Sequence, residues 1–129
     1  SFVSLTGVNC VSTYNINSIN MDSPTGGLLR YIGDEPNKRH HITASVSFGR
    51  NETIITSLNV YLAINGVKIN GSTATFSIGS SVIGVNQVIY LQSYSILNKN
   101  DTISIWIANN SSTSSILLLD FNLFSVNLV

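Results

Sequence analysis

The sequence predicts an all-β domain, an antiparallel β-sandwich, and three observations lead to this fold class. Val, Ile and Leu supply 39 of the 129 residues and Ser, Thr and Asn supply 46, a mixture of strand formers and uncharged polar side chains. Apolar and polar residues alternate at period two in most segments, as half-buried strands require. No window of a dozen residues shows the apolar spacing of an amphipathic helix. We expect a single domain over residues 1–129, since this length suffices for one hydrophobic core.

The first 27 residues are the least regular part of the chain. We expect weak strands over residues 2–5 and 14–19. The stretch Asp-Ser-Pro-Thr-Gly-Gly over residues 22–27 combines turn-forming residues and is expected to be a loop.

Alternation is clearest in the middle of the chain. Residues 42–48 and 58–64 each place four apolar side chains at spacing two, and each predicts a half-buried strand. The dipeptide Asn65-Gly66 suits a two-residue hairpin, so residues 67–69 should pair back. A further turn is expected at Asn70-Gly71, a strand over 73–78 and a break at 79–81.

The second half of the chain predicts four more strands. Residues 85–91 and 94–97 form two of them, and the turn-forming residues 98–101 precede a third over 103–107. After a polar loop over 109–115, the last strand runs nearly to Val129. Its two faces are both apolar, with Ile116, Leu118, Phe124 and Val126 on one and Leu117, Leu119, Phe121 and Leu123 on the other. Because one sandwich core covers only one face, we expect the other to meet a second subunit or a neighbouring element that wraps over it.

Charge is scarce and balanced, with six basic and six acidic residues, and the segment 69–98 has none. A nucleic-acid partner is not expected, because such a surface needs clustered Lys and Arg. Membrane insertion is not expected either, since seven polar residues interrupt the most apolar tract at 109–115. The chain starts at Ser1 without a leader, so we expect a processed chain or a fragment. Cys10 has no metal-ligand spacing around it and is expected to be a small apolar residue.

Three stretches, in order, resemble the C-terminal head domains of viral and bacteriophage fibre or tail proteins. These heads share a jelly roll with the tumour necrosis factor and complement globular-head families. The likeness covers residues 28–129 and lies in Tyr31-Ile-Gly33 followed by HITASVSF at 41–48, in VYLAING at 60–66 followed by Asn-Gly-Ser at 70–72, and in LNKNDTISIWIAN at 97–109. Asn100 stands where these heads usually have glycine, and it should still turn because Asn tolerates the left-handed region.

The resemblance implies a homotrimeric jelly roll at the tip of a virion fibre, outside the cell, that attaches to a host surface receptor, either protein or glycan. Residues 1–27 would then include the connection to a stalk. Receptor contacts are expected in loops, and the expected residues are Asn51, Glu52, Asn109, Asn110, Ser111, Ser112, Lys38 and Arg39. The alternatives are a structural virion domain without a ligand and a secreted cytokine-like or complement-like module.

Subunit contacts are expected at four apolar or aromatic side chains. Tyr61 and Trp106 have the opposite parity to their aliphatic neighbours, which places their rings outside the core, and the last strand offers Leu118 and Phe124. A subunit contact is favoured over a sugar-stacking platform for the two rings.

Residues suited to catalysis are few, and we expect no enzyme, cofactor or metal site. Asp34 to His41 hold a cluster of charged groups, which is interpreted as an exposed turn before a strand. His40 and His41 are adjacent on a strand and so point to opposite faces, which prevents both from binding one metal ion. No serine lies in a nucleophile elbow, and no acidic pair has a spacing that indicates a shared cleft.

Overall fold

The computed structural model describes residues 3–4, 11–14, 20–50, 56–78, 87–109 and 116–127. These residues form strands and turns without a helix. The strands are β1 Val3–Ser4, β2 Val11–Tyr14, β3 Met21–Thr25, β4 Leu28–Tyr31, β5 Lys38–Arg50, β6 Thr56–Ile64, β7 Val67–Lys68, β8 Ala74–Ile78, β9 Gln87–Leu97, β10 Thr102–Asn109 and β11 Ile116–Asn127. Within these segments, no helix has the length and hydropathy needed to cross a bilayer.

The strands form two sheets. The larger sheet has the order β3-β4-β10-β6-β7, with β1 added to β10 and β8 added to β6. The four-stranded sheet has the order β2-β11-β5-β9. Pairing is antiparallel throughout, except that β2 lies parallel to β11. The all-β class and the antiparallel sheets predicted from sequence are therefore confirmed.

One hydrophobic core lies between the two sheets, which gives the molecule its β-sandwich character. The four-stranded sheet contributes Ile42, Val46 and Phe121, and the larger sheet contributes Leu62 and Ile105, all at 0–1% exposure. The alternation predicted for residues 42–48 and 58–64 is confirmed over 42–46 and 58–62, where every second side chain is buried. Ile64 is only half-buried, and the side chain of Phe48 lies outside the described part. Dry aliphatic side chains from both layers supply most of the stabilising burial.

Two turns follow the chemistry of asparagine and glycine. Asn65 and Gly66 have φ angles of 52° and 79°, and they connect β6 to β7 as the predicted two-residue hairpin. Asn100 has φ of 72° in the turn between β9 and β10, so asparagine adopts the left-handed conformation that the sequence required of it.

The loop predicted at residues 22–27 is instead mostly strand. Met21–Thr25 pairs with Leu28–Tyr31 as a hairpin, and Gly27 turns the chain with φ of 76°. The pairing register shifts between Asp22 and Thr25, which accommodates Pro24 on an edge strand without a ladder hydrogen bond. In the same region, β2 covers residues 11–14, and of the strand predicted over 14–19 only residue 14 lies in the described part.

Residues 85–91 and 94–97 were predicted as two strands, and the structure has one continuous strand, β9. It pairs with β5 without a break from Gln87 to Leu97. The apolar pattern is interrupted at Gln92 and Ser93, because Gln92 is exposed and Ser93 is only half-buried. Their backbones nevertheless continue the pairing with β5.

The last strand, β11, contains a β-bulge that the alternation did not predict. Leu118 pairs with Phe48 and Asp120 pairs with Ser47, so one extra residue lies between them. Leu118 thereby falls in the register row of Phe48, whereas Phe124 pairs with Thr43 in the other row. The sequence placed Leu118 and Phe124 on one face of the strand. This expectation is corrected, because the extra residue between them reverses the alternation of residues between the two faces.

Candidate functional site

A groove of about 610 Å³, open to solvent, lies between the β6–β7 hairpin and the edge strand β9. Its apolar lining consists of four aliphatic side chains, Ile64, Val67, Ile69 and Ile96. Its polar lining consists of Arg39, Lys68, Tyr94 and Ser95. The volume falls in the range of ligand-binding clefts, and the groove combines an apolar surface with two cationic side chains.

Hydrogen bonds fix the hairpin wall of the groove. The Asn65 side chain donates from Nδ2 to Asp101 Oδ1 over 2.8 Å and accepts from the Thr102 backbone N–H over 3.0 Å. Asn65 N also donates to the Thr102 carbonyl oxygen over 2.9 Å. Behind the hairpin, the buried Ser72 Oγ accepts from the Leu62 backbone N–H over 3.1 Å. The wall is therefore attached to the larger sheet independently of any ligand.

The other edge of the groove belongs to β9, whose pairing leaves one side free. In the described part of the chain, β9 is the last strand of its sheet and pairs with β5 alone. None of its eleven residues is charged, glycine or proline, the residue types that usually protect an exposed edge. Residues 94–96 of this edge line the groove, and every second residue along it has backbone groups without a strand partner in the described part of the chain.

Three of the five cationic side chains that the structure describes form ion pairs with carboxylates. Arg30 binds Asp22 with two hydrogen bonds of 2.6 and 3.0 Å, and these bonds and the carboxylate charge raise the pKa of Arg30. Lys38 pairs with Glu35, whose hydrogen bond and charge raise the pKa of Lys38.

The third cation in an ion pair is Lys99, whose Nζ lies 2.7 Å from Asp34 Oδ1. This hydrogen bond and the charge of Lys99 lower the pKa of the Asp34 carboxyl. The remaining two described cations are Arg39 and Lys68, which have no carboxylate partner among the described residues. The Lys68 ammonium lies 5.9 Å from the centre of the Tyr61 ring. Both of these cations line the groove, so the charged side chains that line it are all positive.

The outer face of the four-stranded sheet carries a second notable surface. Large side chains on this face are unusually exposed, namely Tyr90 at 77%, Tyr94 at 63%, Ile96 at 53%, Phe124 at 42% and Val88 at 40%. Between Tyr90 and Phe124 lies a shallow depression of about 190 Å³, lined also by Thr43, Ser45 and Asn122. Several large apolar side chains exposed on one sheet face typically mark an interaction surface.

The residues expected at a subunit contact do not share one surface. Tyr61 and Trp106 pair across β6 and β10 on the outer face of the larger sheet, with ring centres 6.1 Å apart and planes nearly parallel. Both are half-buried, and the Trp106 indole N–H donates to Ser104 Oγ over 3.0 Å. Phe124 lies on the other sheet. The side chain of Leu118 lies outside the described part.

The residues expected at a receptor contact are also divided. Lys38 and Arg39 lie at the start of β5, beside the groove, whereas Asn109 ends β10 at the opposite end of the sandwich. Thirteen residues of β5 separate the two ends, which is roughly 40 Å. Asn51, Glu52, Asn110, Ser111 and Ser112 lie outside the described residues.

His40 and His41 point to opposite faces, as the sequence indicated. His40 is fully buried against Tyr31, with ring centres 5.0 Å apart, and burial lowers its pKa. His41 stacks on Tyr94 with ring centres 4.6 Å apart, and its Nε2–H donates to Gln92 Oε1 over 3.2 Å. Across the segments that the structure describes, no group of three or more His, Cys, Asp or Glu side chains is placed to hold a metal ion.

Tyr90, Tyr94 and Lys68 were not among the residues expected at a site. The signal for the tyrosines was present in the sequence, since both have the opposite parity to the buried Ile89 and Leu91. Because residues 85–91 and 94–97 were predicted as separate strands, the two tyrosines were not predicted to lie on the same face of one strand. Lys68 gave no local signal, because its lack of a carboxylate partner within the described segments depends on the pairing of distant residues.

A comparison with known protein-family models gives no match for this chain, and a comparison with curated proteins gives no significant match. The function must therefore be argued from the groove and from the exposed sheet face.

Proposed function

We propose that this chain is the head domain of a viral or bacteriophage fibre or tail protein, which assembles as a homotrimer and attaches to a host surface molecule. The observation that carries the proposal is the exposed outer face of the four-stranded sheet, where Val88, Tyr90 and Phe124 are 40–77% exposed. Net charge is zero, so electrostatic repulsion does not oppose contact between copies. A second and a third copy would remove this apolar surface from water.

The strand order supports the jelly roll that the proposal requires. From β4 onward, the chain crosses between the two sheets at β4–β5, β5–β6, β8–β9, β9–β10 and β10–β11. The orders β2-β11-β5-β9 and β4-β10-β6-β8 place sequence-distant strands side by side, as in double-sheet jelly rolls. The parallel pairing of β2 with β11 departs from that pattern.

The proposed interface differs from the set expected from sequence. It retains Phe124 and adds Tyr90 and Val88, whereas Tyr61 and Trp106 lie on the opposite sheet and already cover each other. The aromatic side chains that remain most exposed would contribute the largest favourable free energy if a second copy buried them.

Sedimentation velocity at micromolar concentration tests the assembly. The wild-type chain should sediment at three times 13.9 kDa, and Tyr90→Ser or Phe124→Ser should sediment at 13.9 kDa with an unchanged circular dichroism spectrum. Val67→Ser is the matched control, because Val67 is 71% exposed but lies on the other sheet. A wild-type monomer would refute the trimer.

Adsorption tests the attachment. A fluorescently labelled trimer should bind cells in a panel of bacterial and animal hosts, and the Tyr90→Ser monomer should bind them about a hundredfold more weakly because avidity is lost. A trimer that adsorbs to no cell type in the panel would favour the structural virion role over attachment.

A further inference from the structure

We propose that the groove between β7 and β9 binds an extended acidic peptide segment of the surface partner, which adds as a strand to the free edge of β9. The inference rests on the proposed attachment function and names the class of partner, a protein rather than a glycan. The proposed peptide site lies at the end of β9 near Ile96, away from the surface around Tyr90 and Phe124 that is proposed for trimer contacts.

The backbone of β9 provides the first argument. Its outer edge is unpaired within the described residues, and it lacks the charges, prolines and glycines that normally prevent strand addition. A peptide placed about 4.8 Å from β9 would satisfy these N–H and C=O groups and would lie in the groove.

The lining provides the second argument. Ile64, Val67, Ile69 and Ile96 are aliphatic, and Ser95 is the one neutral hydroxyl besides the phenol of Tyr94. A saccharide has a hydroxyl on most carbons and needs many polar partners, whereas half of the residues in this lining are aliphatic. A peptide strand brings apolar side chains at every second position, and these match an aliphatic surface.

Charge provides the third argument. Arg39 and Lys68 line the groove, and neither has a carboxylate partner among the described residues. Arg39 pairs with Ile96 on the outer face, so the outward side chains of an added strand would lie on the same side as its guanidinium. A segment that alternates acidic and apolar residues would therefore present acids to Arg39 and apolar groups to the hairpin.

Fluorescence anisotropy tests the proposal with a labelled peptide of about six alternating Glu and Val residues, the length of an average strand. Peptides with Gln or Lys in place of Glu are the matched probes. The Glu peptide should bind more tightly than the Gln peptide, the Lys peptide should not bind, and binding of the Glu peptide should weaken as salt rises.

Arg39→Gln and Lys68→Gln should each weaken binding about two- to fivefold, the range of exposed charge pairs. Lys99→Gln removes the same charge at an exposed site outside the groove and should leave binding unchanged. Equal affinity for the Glu and Gln peptides, or insensitivity to Arg39→Gln, would overturn the proposal.

Hydrogen exchange tests the strand addition itself, since backbone amides within residues 93–97 should exchange more slowly when the Glu peptide is bound. If N-acetylneuraminic or glucuronic acid instead displaces the peptide without protecting these amides, the ligand is an acidic saccharide and the peptide assignment is wrong. A trimer that adsorbs to cells but ignores the Glu peptide would refute this inference alone. Peptide binding without adsorption to cells would refute the attachment function alone.

Discussion

Replacing Gly33 with alanine should destabilise the domain, because the ring of Tyr31 occupies the space that a Cβ atom needs. That Cβ would lie 2.3 Å from Oη, 2.5 Å from Cζ and 2.8 Å from Cε1 of Tyr31. Carbon contacts are comfortable at about 3.5 Å, so the ring must withdraw by about 1 Å. The same contact explains why a tyrosine and a glycine occur two residues apart in this sequence.

The ring has little room to withdraw. Tyr31 is 1% exposed, its edge packs on His40, and its hydroxyl donates to the Glu35 carbonyl over 3.2 Å. Overpacking in a core costs about 1–3 kcal/mol and a lost hydrogen bond about 1, so we expect Gly33→Ala to lower the free energy of unfolding by about 2–4 kcal/mol.

Urea denaturation followed by Trp106 fluorescence, at one fixed protein concentration, measures this effect as a lower midpoint at unchanged slope. Gly26→Ala is the control, because a Cβ at Gly26 meets nothing within 4 Å, and its stability should stay within about 1 kcal/mol of wild type. In a Tyr31→Leu background the cost of Gly33→Ala should fall. The same cost in both backgrounds would refute the assignment to the ring.

Three further substitutions test other parts of the fold. Burial lowers the pKa of His40, so the free energy of unfolding should be highest above about pH 6.5 and should decrease as pH falls through the lowered pKa. Urea titrations across this pH range should show the decrease in the wild type and in His41→Gln. They should not show it in His40→Gln. Asn100→Gly should keep thermal stability whereas Asn100→Val should lose about 1–2 kcal/mol, since φ is 72°, and equal melting temperatures would contradict the turn. Ser72→Ala should cost about 1–3 kcal/mol in calorimetry by leaving a buried backbone N–H of β6 without its acceptor, while the exposed Thr73→Ala should change little.

Local pattern was sufficient to predict the strands that have one dry face. The alternation around Ile42 and Leu62 follows from burial on one side of each strand, and Asn65-Gly66 specifies its hairpin through two positive φ angles. Both signals involve residues within a few positions of one another, so a sequence reveals them without knowledge of the rest of the chain.

Edge strands were harder to predict because their neighbours, not their own residues, decide their pattern. Pro24 suggested a loop, yet the edge strand β3 tolerates it where the register shifts. In β9, Ser93 and Ser95 belong to the inward row but remain half-buried, and Ser95 lines the groove, so the apolar alternation fails there while the pairing with β5 continues.

The groove could not be predicted from sequence, because its charge and walls depend on distant pairings. Lys99 is neutralised by Asp34, 65 residues away, and Asn65 is fixed by Asp101, 36 residues away. Only when the topology assigns these pairs does it follow that Arg39 and Lys68 have no carboxylate partner in the described part of the chain.

Strand β9 contributes to both proposed contacts through different groups, and this makes the two contacts separable. The trimer contact would use side chains of its outward row, above all Tyr90, and gains by burying apolar area that does not depend on ionic strength. The peptide contact would use the backbone edge near Ser95 together with Arg39, and its affinity falls with salt. Because Tyr90 and Ser95 lie five residues apart, about 17 Å along the strand, a substitution at either one leaves the other contact in place. Raising the salt concentration should therefore release the peptide from the proposed site while the proposed trimer persists.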